Sequence, residues 1–152
     1  MAENIEREIP EDVVRGYFLI AGSRRFGDCD IKLTGAYPPE FGFFEDRGLA
    51  SGLLLLCLPE LVRNCYDQGA KLIQVRYQLG TLRVEDDVVH ENWTDILRSL
   101  NSTRLLSTVT DTQSWRGNGV IKSRQEFEKH GGSLIYSSLD SRIIADASWN
   151  PR

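Results

Sequence analysis

The side chains of this sequence that could carry chemistry are two histidines, three cysteines and one acidic run. His90 and His130 lie far apart in the chain, without cysteine or carboxylate at the spacing of a known metal site. Cys29, Cys57 and Cys65 are an odd number at no metal-binding spacing, which favours buried, reduced thiols. The glycine-flanked serine motif of hydrolases is absent. The sequence therefore predicts no metal site, no cofactor and no catalytic residue.

The acidic run is Glu85-Asp86-Asp87, and Glu91 and Asp95 follow it closely. One interpretation is a solvated loop leading into a helix, where carboxylates interact favourably with the helix dipole. The other is a contact surface for a basic partner. Calcium binding is disfavoured because the aspartate spacing of a calcium loop is absent.

A second candidate is the loop predicted at residues 22–28, which contains Arg24 and Arg25 between glycines. It lacks the Gly-Lys-Ser/Thr triplet of a phosphate-binding P-loop and does not match the dinucleotide pattern. Two arginines with free backbone amides could nevertheless hold a carboxylate or phosphate. The alternative is an ordinary hairpin loop whose charges are solvated.

A third candidate is a pair of arginines in a predicted hairpin over residues 70–85. Alternation of apolar residues and a turn at Leu79-Gly80 place Tyr77 opposite Leu82, and the same register places Arg76 opposite Arg83. Like charges directly opposite one another destabilise a sheet by about 0.2–1 kcal/mol. Glu85 on the diagonal, an acidic partner or a nucleic-acid phosphate could offset that repulsion.

Trp115 and Arg116 fall in a predicted loop, and both residue types are favoured at binding hot spots. Aromatic residues near loops also close the edges of small cores, so both interpretations stay open. The partner-binding residues predicted from the sequence are Arg24, Arg25, Arg76, Arg83, Asp86, Asp87, Trp115 and Arg116.

The elements that must position these residues alternate between strands and helices. Strands are predicted at 13–21 and 29–34, paired with each other, and a helix within 49–68, where 53–57 could also be a buried strand. A helix is predicted at 90–100 and a strand at 105–110. A short helix starts at Ser123, which has capping-box spacing to Glu126, and ends at Gly131. Two closing strands, 134–137 and 142–147, meet near Asp140.

This order predicts an α+β fold with a mainly antiparallel sheet of five to seven strands and two or three helices on one face. Residues 12–150 form one globular domain and residues 1–11 a flexible arm, since 152 residues suit a single domain. No apolar run reaches membrane-spanning length. The N-terminus lacks a secretory signal, so we expect a cytoplasmic protein.

Three functions are compatible with these features. The favoured hypothesis is a non-enzymatic protein-binding module of immunity, adaptor or viral accessory type, acting through charged sheet and loop surfaces; Glu85 to Asp95 would contact a basic toxin or nuclease. RNA binding on an arginine-bearing sheet face is the alternative, although the net charge is −4. The third is a ligand-binding protein or enzyme with a pocket between sheet and helices, in which Arg24 or Arg76 holds a carboxylate and His90 or Cys29 reacts. An uncovered edge strand could also pair two copies.

Overall fold

The computed structural model describes residues 7–8, 29–35, 49–78, 80–101 and 118–150. They form one sheet with the strand order β1-β2-β3-β4-β6-β5. The strands are β1 (Arg7–Glu8), β2 (Asp30–Gly35), β3 (Leu72–Gln78), β4 (Thr81–Asp86), β5 (Ser133–Leu139) and β6 (Arg142–Ser148), and the helices are α1 (Leu49–Asp67), α2 (Trp93–Leu100) and α3 (Asn118–Lys129). The predicted α+β class and mainly antiparallel sheet are confirmed.

The sheet contains one parallel pair among its described strands, β2 with β3, whose register places Leu33 beside Val75. The helix α1 connects these strands, which is the βαβ arrangement that lets a chain re-enter a sheet in the same direction. The neighbours of β2 are β3 and the short strand β1, whose Arg7 and Glu8 lie in the segment predicted as a flexible arm. The expected partner of β2, the strand at 13–21, lies outside the described residues, as does the strand at 105–110.

The segment with alternative predictions, 49–68, is one helix. It runs from Leu49 to Asp67 with Pro59 inside it, so the strand alternative for 53–57 is wrong. Gly69 ends the helix with a φ of 96°, where the Ala70 amide donates to the Cys65 carbonyl. Glycine suits this position because it adopts positive φ without a steric cost.

The hairpin of β3 and β4 has the predicted register. Tyr77 lies opposite Leu82, Val75 opposite Val84, and Arg76 opposite Arg83. Gly80 has a φ of 94° at the turn, as a tight hairpin turn requires.

One helix boundary differs from the prediction. The helix α3 begins at Asn118, five residues before Ser123, which is buried inside the helix rather than capping it. The capping-box interpretation of Ser123 and Glu126 is therefore wrong. The predicted end is confirmed, because Gly131 has a φ of 83° and the Gly132 amide donates to the Phe127 carbonyl.

The three helices of the described residues cover one face of the sheet. Strand residues that share this face, such as Leu33, Val75 and Ala145, form one buried cluster with residues of all three helices. Trp149 belongs to the same core, with its ring 6.3 Å from that of Tyr77 and 5.8 Å from that of Phe127. The opposite face, the outer face, carries mainly polar residues that alternate with the core positions of β3, β4 and β6; Ile144, beside Glu85, is a buried apolar exception.

Candidate functional site

Two of the predicted partner-binding residues, Arg76 and Arg83, lie opposite each other on the outer face. Arg83 donates to both carboxylate oxygens of Asp146 on β6, with Nε–Oδ1 at 2.8 Å and Nη2–Oδ2 at 3.2 Å. This bidentate pair raises the pKa of Arg83. Nε of Arg76 lies 3.9 Å from Oε2 of Glu85. Carboxylates of the chain itself therefore offset the repulsion between the two arginines, and the sequence pattern did not indicate Asp146.

These arginines border an open groove of about 460 Å³ on the outer face. Register rows place Thr81, Ser148 and Ser133 side by side along one part of it. In the next row Arg83, Asp146 and Ile135 are neighbours. A nucleic-acid backbone on this groove would meet Asp146 as well as the two guanidinium groups, one of which is already paired with Asp146 and the other of which lies near Glu85. The surface is thus not the basic stripe that non-sequence-specific RNA binding requires.

The acidic run divides between three environments. Glu85 faces the outer side. Asp87 is exposed, and its Oδ1 accepts a hydrogen bond from the Lys71 amide at 3.1 Å. Asp86 points to the helix-bearing side and is 5% exposed. Of the interpretations offered for Asp86, both the solvated loop and the contact surface are wrong, because this carboxylate lies in the core layer at the end of β4.

The surroundings of Asp86 form a small polar site beneath the C-terminal half of α1. Its Oδ1 accepts a hydrogen bond from the Val88 amide at 2.8 Å, and its side chain also hydrogen-bonds with the Cys65 thiol. Removal from water raises the pKa of Asp86, while these two hydrogen bonds and the nearby His90 lower it. Among the described side chains it is the only buried carboxylate.

His90 lies in the loop that follows β4 and is 8% exposed. Its amide donates to the carbonyl of Ser141 at 2.9 Å, which fixes the loop against the turn between β5 and β6. Burial lowers the pKa of the His90 imidazole, and the charge of Asp86 opposes that shift. His90 therefore lies beside the buried carboxylate and is biased toward its neutral form.

The site extends toward β5 through Asn64 and Tyr136. The buried Nδ2 of Asn64 has no hydrogen-bond partner in the structure. Tyr136 is buried, and its removal from water raises the pKa of its hydroxyl. Cys65 raises this pKa further, whereas Asn64 lowers it. We call the five residues Asn64, Cys65, Asp86, His90 and Tyr136 the polar cluster.

The remaining predicted residues do not join this cluster. Arg24, Arg25, Trp115 and Arg116 lie outside the described residues, so their roles stay predictions. His130 ends α3, with Nδ1 2.7 Å from the Glu126 carbonyl oxygen. Cys57 is buried, which raises its pKa to about 12.

The signal for the polar cluster was present in the strand pattern. Leu82, Val84 and Asp86 occupy alternate positions of β4, and alternate positions share one face of a strand. Extending this alternation by one step beyond Val84 places Asp86 on the core face, although Asp86 also belongs to the acidic run Glu85-Asp86-Asp87.

Two kinds of site are absent from the described part of the chain. No group of three or more histidine, cysteine, aspartate or glutamate residues there is placed to hold a metal ion. None of the helices in those same ranges has the length and apolar character needed to cross a membrane.

Comparisons with known proteins identify the fold. No family model matches the sequence, and no curated protein matches it. Solved structures do. The mycobacterial sensor histidine kinase MprB superimposes with a TM-score of 0.55 and 15% identity over 99% of this chain and 100% of that chain. The ATP-binding domain of PrrB from Mycobacterium tuberculosis gives 0.53 and 17% over 98% of both chains. The catalytic domain of histidine kinase ThkA gives 0.52 and 14% over 98% of this chain and 96% of that chain.

These matches overturn the favoured functional hypothesis. Their fold is that of ATP-binding and catalytic domains of histidine kinases, so the prediction of a non-enzymatic protein-binding module is wrong, and RNA binding gains no support. The expectation that the chain is more likely not an enzyme is also revised, because histidine kinases, which are enzymes, use this fold. The chain is a single α+β domain with the fold of histidine kinase ATP-binding domains.

Proposed function

We propose that this chain is a nucleotide-binding domain and that ATP binds on the helix-bearing side of its sheet, next to the polar cluster. The observation that carries the proposal is the fold, which matches the ATP-binding domain of PrrB over 98% of both chains. The polar cluster adds a chemical reason, because a core that needed only packing would not retain a buried carboxylate.

The polar cluster suits the base of the nucleotide. Adenine presents an amino group that donates hydrogen bonds, and an ionised carboxylate only accepts them. Asp86 has one oxygen occupied by the Val88 amide, while its other described partner is a thiol, which is a weak donor. An amino group that displaced the thiol would form the stronger hydrogen bond in a site shielded from water.

The phosphates fit the described residues less well. The loop at 87–92 contains Asp87 and Glu91 and no glycine, whereas phosphate-cradling loops present backbone amides from glycine-rich turns. Magnesium carried by the nucleotide would reduce the repulsion between its phosphates and these carboxylates. The proposal therefore assigns the base to Asp86 and assigns none of the described residues to the phosphates.

Isothermal titration of the full chain with magnesium-ATP tests the proposal. We expect saturable binding, and Asp86→Ala should weaken it at least about tenfold, which corresponds to about 1.4 kcal/mol. Asp146→Ala removes a carboxylate from the outer face, so this control should bind as the parent chain does.

The outcomes separate the function from the site. A folded parent chain without saturable binding would contradict nucleotide binding itself. Equal affinity of the parent chain and a folded Asp86→Ala variant would retain nucleotide binding but exclude Asp86 from the site. Measuring the release of inorganic phosphate from ATP, or the transfer of its phosphoryl group to a protein acceptor, then tests whether the bound nucleotide reacts.

A further inference from the structure

The strand β5 is an edge strand of the described sheet, with β6 as its neighbour on one side. It contains no charged residue and no proline over Ser133–Leu139. Ile135 is 57% exposed and Leu139 53% exposed. Proteins usually protect such a strand, because its outward backbone groups are a template for pairing with another chain.

The side chain of Asn101 occupies this edge. Its Nδ2 donates to the Tyr136 carbonyl at 3.0 Å, and its Oδ1 accepts from the Tyr136 amide at 3.0 Å. A carboxamide carries the same donor and acceptor as a peptide group. Asn101 thus forms with Tyr136 the two hydrogen bonds that a residue of an adjacent antiparallel strand would form.

A buried arginine holds Asn101 in this position. Arg124 of α3 is 6% exposed, and its Nε donates to the Leu134 carbonyl at 3.2 Å. Its Nη2 donates to the carbonyl of Leu100, the residue before Asn101. The same guanidinium therefore satisfies a second backbone group of β5 and fixes the end of α2 against it.

We infer that Asn101 takes the place of a neighbouring strand and prevents β5 from pairing with β5 of a second copy of this chain. The hydrogen bonds at Leu134 and Tyr136 lie at alternate residues, which is the spacing of outward-facing groups on an edge strand. Two edges related by a twofold axis would pair antiparallel, with Ile135 of each copy near the contact. This inference does not depend on nucleotide binding.

The test compares the parent chain with Asn101→Ala by light scattering after size exclusion over a range of concentrations. We expect a monomeric parent chain and a concentration-dependent dimer in the variant. The Tyr136 amide should also exchange with solvent faster in the variant at low concentration, where the edge is open. Thr94→Ala, on the exposed side of the same helix, should behave as the parent chain does.

A second substitution identifies the surface. Ile135→Lys adds a charge to the exposed side of β5, so the variant that combines it with Asn101→Ala should return to monomer. A folded Asn101→Ala variant that stays monomeric would overturn the inference. A dimer that persists in the combined variant, or a parent dimer that Ile135→Lys dissociates, would overturn it too. Asn101→Ser, which is too short to reach both backbone groups, repeats the comparison if Asn101→Ala does not fold.

Discussion

The amide of Val88 donates to Oδ1 of Asp86 at 2.8 Å, so that the chain solvates with its own backbone a carboxylate that it has withdrawn from water. The compensation is incomplete. Burial raises the pKa of Asp86 above its ordinary value of 3.8 even though this hydrogen bond, the Cys65 thiol and His90 lower it. The buried carboxylate of Asp86 costs stability at a position of β4 where an apolar side chain would pack into the core. Ionisable residues with perturbed pKa values in such positions are often functional.

The raised pKa predicts that Asp86→Asn stabilises the fold at neutral pH. Because the native state holds the Asp86 proton more tightly than the unfolded state, stability falls as pH rises from 3.8 through the higher native pKa. Asparagine removes the charge and keeps an acceptor for Val88. The difference in unfolding free energy between variant and parent should therefore be small below the unfolded pKa and favour the variant at about pH 7.

Urea unfolding at several pH values measures this difference. Asp87→Asn is the matched control, since Asp87 is exposed, and its gain should be much smaller, limited to relief of the repulsion that Asp87 exerts on Asp86. An Asp86→Asn variant that is less stable than the parent at neutral pH would mean that ionised Asp86 stabilises the fold, so that its hydrogen bonds outweigh the cost of its burial.

Local pattern predicted the hairpin of β3 and β4 well because alternation and a glycine turn determine register together. Val75 and Val84 meet as expected, and so do Arg76 and Arg83. Apolar side chains of this hairpin lie on the core face and polar ones on the outer face. A shift of the register by one residue would therefore bury the arginines.

The alternation of apolar residues does not determine which distant strands pair with each other. Nothing in the alternation of β2 distinguishes an antiparallel neighbour at 13–21 from the parallel neighbour β3, since both bury Leu33. The connection did carry information: a strand, a helix of nineteen residues and a strand form the unit that joins parallel neighbours. The start of α3 was missed for a different reason, because Ser123 has capping-box spacing but its burial was decided by the tertiary packing of the helix.

The outer-face pair of Arg83 and Asp146 should contribute modestly to stability. Both side chains are nearly half exposed, so a double-mutant cycle with alanine at each position should give a coupling free energy of about 0.2–1 kcal/mol. Asp146→Ala should cost more than Arg83→Ala, because it leaves Arg83 opposite Arg76 without its carboxylate. Denaturant unfolding of the four proteins measures the coupling, which should diminish at high salt. A larger cost for Arg83→Ala would show that packing of the arginine stem outweighs the repulsion.

Gly132→Ala should strongly destabilise the fold. A Cβ at this position would overlap the carbonyl of Ser148 and lie 2.7 Å from Cα of Trp149, and neither can withdraw, because Ser148 belongs to β6 and Trp149 is buried between Tyr77 and Phe127. We expect a loss of about 3 kcal/mol or more in unfolding free energy. Gly69→Ala is the matched control: it meets nothing within 4 Å and is strained only by its φ of 96°, so its cost should be about 1–2 kcal/mol. Urea midpoints of the two variants test the ranking. Equal losses would mean that the start of β5 can move away from β6 without disturbing the core around Trp149.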